Sequence, residues 1–90
     1  MPIREVAICN ELGMHARAAS RLVDCASRYQ SDITVSYRDR TVNGKSIMGV
    51  LMLAAACGAT IMLEASGPDE EEALQALTKL VSEGFGELQE

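Results

Sequence analysis

Apolar positions change their spacing several times along this chain, and each change marks an element. In 3–9, "IREVAIC", Val6 and Ile8 fall on one face, which predicts a strand. Over 16–28 the apolar residues Ala19, Leu22, Val23 and Ala26 recur at helical intervals, while Arg17, Arg21, Asp24 and Arg28 point elsewhere. Alternation returns in 32–37, where Ile33, Val35 and Tyr37 share a face. "RDR" turns the chain into a short returning strand, "RTVNG", which Gly44 ends. Ser46 is placed to cap a helix over 47–54, and Gly58 separates that helix from a strand at 60–66 carrying Ile61, Leu63 and Ala65 on one face. After the turn at Gly67–Pro68, a final helix presents Leu74, Leu77, Leu80 and Val81 as its stripe and stops at Gly84. Asp69 and Glu72 have the spacing of a capping box at its start.

The predicted order is β-α-β-β-α-β-α, an α+β chain. An antiparallel sheet with all its helices on one face satisfies that order most simply. Ninety residues make one domain, 1–90, large enough for two layers but not for a deep cavity. Aromatic residues are only 3% and Trp is absent, so Val, Ile, Leu, Met and Ala must build the core. Residues 46–63 carry no charge, which is the short limit of a membrane span. Gly58 and the alternation after it favour a helix followed by a strand.

The net charge of -5 is uneven: 1–45 carries +2 and 46–90 carries -7. That balance argues against nucleic-acid binding and leaves only the first half to hold an anion. Cys9, Cys25 and Cys57 have neither zinc nor CxxC spacing, and no apolar leader opens the chain. The expectation is a cytoplasmic protein without metal or cofactor.

Two short motifs fail as chemistry. "GKS" at 44–46 lacks the glycine a phosphate-binding loop needs, since Asp39 occupies that position. Glu70–Glu72 reads as an acidic helix start. His15, the only histidine, is different. It stands where a helix begins, so the backbone amides of Ala16, Arg17 and Ala18 are expected to face an anion there. Arg17 adds a guanidinium suited to phosphate oxygens, and Gly13 lets the preceding loop approach closely. An imidazole in that setting is a nucleophile for a phosphoryl group. No second histidine, metal set or nucleotide loop accompanies it, which points to a carrier whose partners bring the catalysis.

"NELGMHARAA" resembles the phosphorylation-site signature of the HPr family, the histidine-containing phosphocarriers of the bacterial phosphotransferase system. "GKSIMGVLML", "SGPDEEEAL" and "SEGFGE" resemble the second half of the same family, so the likeness spans essentially the whole chain. The resemblance implies an open-faced β-sandwich, a four-stranded antiparallel sheet covered by three helices. It implies that enzyme I, charged by phosphoenolpyruvate, phosphorylates His15 at Nδ1 and that enzyme IIA domains receive the group. Arg17 matches the family's phosphate-neutralising arginine. The protein is then a carrier rather than an enzyme, and a monomer is expected.

Ser46 matches the family's regulatory serine, modified by HPr kinase/phosphorylase, and a capping role is compatible with that one. Ile47, Met48 and Leu51 are expected to form an apolar partner surface, with Arg21 beside it, while Val50 and Leu53 go to the core. Ala18 departs from the proline usual after the arginine, restoring an N–H at that position. A nitrogen-type (NPr) relay paralogue remains open within the family. A small partner-binding module without phosphoryl transfer remains open outside it.

Overall fold

Alternating β-branched and leucine side chains can bury one face of a strand only if a neighbour covers it, and three helices do so here. The computed structural model describes residues 2–86. The elements are β1 (Ile3–Ala7), α1 (Ala16–Ser27), β2 (Asp32–Tyr37), β3 (Arg40–Asn43), α2 (Ile47–Met52), β4 (Thr60–Ser66) and α3 (Glu70–Ser82), followed by a 3-10 turn at Gly84–Gly86. The sheet order is β1-β4-β2-β3 and every pairing is antiparallel. Register pairs Val6 with Ile61 and Val35 with Leu63, which puts the inward residues of three strands in line. Ile33, Val35, Ile61, Leu63 and Ala65 meet Ala18, Ala19, Leu22 and Ala26 of α1, Val50 of α2, and Ala73, Leu74, Leu77 and Val81 of α3 in one core. The opposite sheet face carries polar residues such as Ser36 and Thr41, whose hydroxyls meet at 3.0 Å.

The expected element order and the antiparallel sheet stand, with shorter elements in two places. β1 ends at Ala7, but Ile8 is buried as expected and bonds to the backbone of Gly58 and Ala59 just beyond the ladder. The 47–54 helix ends at Met52, and Ala54 turns to a left-handed φ of 53°. The charge-free stretch 46–63 divides between α2, a loop and β4, and among the described residues no helix is long and apolar enough to cross a membrane. Leu80 is only half-buried, and Ala73 is the fully buried member of the α3 stripe in its place.

The expected capping box does not form. Asp69 makes no side-chain bond to its own helix. Its carboxylate instead accepts the Ser31 hydroxyl at 2.5 Å and the backbone N–H groups of Gln30 and Ser31 at 2.9 Å each. Three donors in the turn between α1 and β2 outcompete one amide of α3. Glu70 closes the helix start, its Oε1 accepting the Gly67 N–H at 3.0 Å. The Ser31 hydroxyl first, then the Gln30 amide, hold the Asp69 carboxyl below the usual carboxylate range. A lowered folded-state value means the stabilisation is complete above the unfolded value, about pH 4, and is lost as pH falls through the folded one. The urea midpoint of the wild type is therefore expected to fall more steeply below about pH 4 than that of Asp69→Asn. Parallel pH profiles would remove Asp69 from the acid sensitivity.

Candidate functional site

His15 closes a loop that is tied down at each step. The Gly13 N–H donates to the Asn10 carbonyl at 3.1 Å, and the Met14 N–H donates to Ala55 O at 2.9 Å. The His15 N–H donates to Gly13 O at 2.9 Å. This delivers His15 to the N-cap of α1 with φ -84° and ψ -179°, an extended conformation that turns its ring onto the first helical turn. Nδ1 there accepts the Arg17 N–H at 3.2 Å, and the His15 carbonyl accepts Ala19 N–H at 2.8 Å. A ring nitrogen that accepts an N–H carries a lone pair, which leaves the ring proton on Nε2. The half-buried imidazole thus keeps the Nδ1 lone pair beside the positive end of a 12-residue helix.

The predicted amide trio is only partly as expected. Arg17 N–H is occupied by Nδ1 rather than open to an anion, because the N-cap geometry brings the ring within reach. Ala18 is fully buried and its methyl belongs to the core, while Ala16 is exposed. The Arg17 side chain is exposed and, among the described residues, pairs with no carboxylate. Arg21 is also at the surface, but its guanidinium donates to the Phe85 carbonyl and so braces α1 against the chain end.

Ser46 is the N-cap of α2, as expected, its Oγ accepting Gly49 N–H at 3.1 Å. Its neighbour Lys45 spends its ammonium on the Tyr29 carbonyl at 2.8 Å, which ties the start of α2 to the end of α1. Behind it, Met48 is 69% exposed and Ile47 44%, whereas Leu51 is half-buried against the core. Val50 and Leu53 are buried, as anticipated. Leu12 at 72% and Met52 at 62% are as open as Met48, so the exposed apolar set includes two residues the periodicity overlooked. Leu12 could have been found as an isolated leucine in a polar turn. Asn10 was also missed, and a single asparagine in a loop sends no signal of burial.

Burial pushes the Cys25 thiol up, against the opposing pull of Arg28, which makes it a poorer nucleophile. Among the described residues no cluster of three or more side chains could hold a metal ion.

The family model for the PTS HPr component phosphorylation site matches residues 3–83. Phosphocarrier protein HPr of Cupriavidus necator is 49% identical over 84 residues, covering 93% of this chain and 94% of that protein. Phosphocarrier protein NPr of Shewanella violacea is 42% identical over 84 residues, covering 93% and 92%. The crystal structure of HPr-C-His from Thermoanaerobacter tengcongensis superposes with a TM-score of 0.93 at 42% identity, covering 97% of this chain and 98% of that one.

Proposed function

The chain belongs to the HPr family of phosphocarriers, and on that premise we propose that it accepts a phosphoryl group on Nδ1 of His15 from phosphoenolpyruvate-charged enzyme I and passes it to an enzyme IIA domain. The observation that carries this reading is the Nδ1 lone pair held at 3.2 Å from the Arg17 amide. In-line attack forms the Nδ1–P bond as the donor's bond to phosphorus breaks, and the Nε2 proton leaves to solvent. The bond between Nδ1 and Arg17 N–H is given up in that step, so the amide becomes available to a phosphoryl oxygen. The exposed Arg17 guanidinium can reach the same group and offset its charge. Onward transfer reverses the order: Nε2 regains a proton and imidazole leaves.

The apolar surface of Leu12, Ile47, Met48 and Met52 supplies docking area without demanding one partner geometry, and methionine adapts to several. The same reading places the chain in the cytoplasm, where phosphoenolpyruvate is made, acting as a monomer. We favour the sugar branch of the family over the nitrogen-type relay because identity is higher to HPr than to NPr, 49% against 42%. Transfer to sugar-type and nitrogen-type IIA domains, run side by side, separates the two. The principal test is incubation with phosphoenolpyruvate and enzyme I, read by intact mass. An acid-labile gain of one phosphoryl group is expected, and its absence would overturn the reading.

Ser46 is our candidate for modification by HPr kinase/phosphorylase with ATP. A phosphoryl group there adds roughly two negative charges beside Ile47 and Met48, where a docking partner must exclude water. Ser46→Asp is expected to slow phosphorylation by enzyme I about tenfold, corresponding to about 1.4 kcal/mol of lost docking energy. Unchanged kinetics in Ser46→Asp would show that charge at this position is not read by enzyme I.

A further inference from the structure

Asn10 is one of two fully buried polar side chains in the described chain, and it stands five positions before the phosphorylated residue proposed above. Its Nδ2 donates to the Gly13 carbonyl at 2.8 Å. That same carbonyl accepts the His15 backbone N–H at 2.9 Å. The Gly13 N–H returns a bond to the Asn10 carbonyl at 3.1 Å, so residue 10 holds both polar groups of the Gly13 backbone. The Gly13–Met14 peptide that sets the entry angle of His15 is therefore held at its carbonyl by the Asn10 side-chain amide, and at its N–H by Ala55 O. A carbonyl oxygen can only accept, so only the amide nitrogen of Asn10 can face it.

We infer that Asn10 is a positioning residue for His15: through the Gly13 carbonyl it sets the N-cap geometry that keeps Nδ1 against the Arg17 amide. The inference rests on the phosphocarrier reading for its kinetic consequence, but its geometric part does not. Removing the Nδ2 donor leaves that peptide anchored only through the Met14 N–H to Ala55 O, so its carbonyl end can tilt. The His15 backbone turns with it, and Nδ1 drifts from the direction in which attack on phosphorus is productive. Misplacement on the scale of an ångström costs up to about a hundredfold in rate. Asn10→Asp is the sharpest substitution, since it keeps the shape and sets a second acceptor against the Gly13 oxygen. Asn10→Ser is the milder one, with a hydroxyl that can still donate over a shorter reach.

The test combines NMR with phosphorylation kinetics on folded protein. In the wild type the Asn10 side-chain amide protons are expected to exchange with water at least tenfold more slowly than those of exposed Gln75. Comparable exchange would overturn the proposal without any variant, so it stays decidable even if both variants unfold. In Asn10→Asp the Arg17 amide should lose protection and the 15N resonance of His15 Nδ1 should shift. Its initial rate with enzyme I should fall about tenfold or more, with Asn10→Ser between it and the wild type. A role confined to stability predicts something else: a lower melting temperature with the Nδ1 resonance and the rate per folded molecule unchanged. That outcome would also overturn the proposal. If the wild type itself takes no label from enzyme I, the functional reading fails, while the Arg17 amide and Nδ1 readouts still decide whether Asn10 positions the ring.

Discussion

His15→Asn is expected to fold as well as the wild type and to carry no phosphoryl group at all. The imidazole does two separable things in this chain. It caps α1, with Nδ1 accepting the Arg17 N–H at 3.2 Å, and it offers that same nitrogen as the nucleophile. Asparagine is among the strongest N-caps, so its side-chain oxygen can take over the Arg17 amide and hold stability within about 0.5 kcal/mol. Its amide nitrogen has no available lone pair, so the N–P bond cannot form. Alanine loses both roles. It should cost about 1 kcal/mol of stability, which lowers the melting temperature by about 4–8 °C in a domain of this size. Thermal unfolding beside intact-mass labelling with phosphoenolpyruvate and enzyme I reads both roles at once. An acid-labile label that persists in His15→Asn would falsify the assignment of the acceptor. Equal melting temperatures for the asparagine and alanine variants would show that the cap contributes nothing.

The largest loss of stability near the site is expected from Gly13→Ala. Two demands coincide at this residue. Its φ is +67°, and a β-carbon placed on it would lie 2.8 Å from Ala55 O and 2.9 Å from Ala56 Cα. Both obstructing atoms are backbone, and Ala55 O already accepts the Met14 N–H, so neither can swing aside. The left-handed conformation costs an alanine about 1–2 kcal/mol, and forcing the two loops apart adds about 1–3 kcal/mol. Gly58 separates the two effects. Its φ is +93°, but nothing lies within 4 Å of the position a β-carbon would take. Gly58→Ala should therefore show only the conformational cost, about 1–2 kcal/mol. Urea unfolding of the two variants in parallel should find Gly13→Ala the more destabilising by about 1–3 kcal/mol. Equal losses would mean that close packing of the 13 and 55–57 loops contributes nothing.

Much of this arrangement is local and can be read from spacing. The alternation of Ile33 with Val35 and of Ile61 with Leu63 specifies strands with one buried face, and those residues line the core. The interval between Ala19, Leu22, Val23 and Ala26 specifies a helix and also its buried side. His15 and Ser46 were legible as helix starts for the same reason, because the residues that follow each of them begin a helix. His15 and its neighbouring arginine lie two positions apart, and the serine cap stands directly before the helix it closes.

What spacing could not show depends on distant partners. Asp69 has the right offset from Glu72 for a capping box, yet it serves Gln30 and Ser31, 39 and 38 positions away. Arg21 looks like any helix-surface arginine until α3 ends beside it and presents the Phe85 carbonyl. The periodicity of α2 could not say which of its apolar residues the sheet would cover. Packing buries Val50, half-buries Leu51 and leaves Met48 and Met52 open.

The sequence by itself determined the order of the elements, the buried faces of the central strands and of α1, and the place of His15 at a helix start, because each follows from periods of two or about four residues and from side-chain chemistry. The tertiary structure alone decided the hydrogen bonds that join distant segments and which loop side chains are buried. Asp69 serves Gln30 and Ser31 rather than its own helix, Arg21 finds the Phe85 carbonyl, and Asn10 is buried in the core. A buried donor binds whichever acceptor the packed chain brings within about 3 Å, and no local pattern encodes that choice.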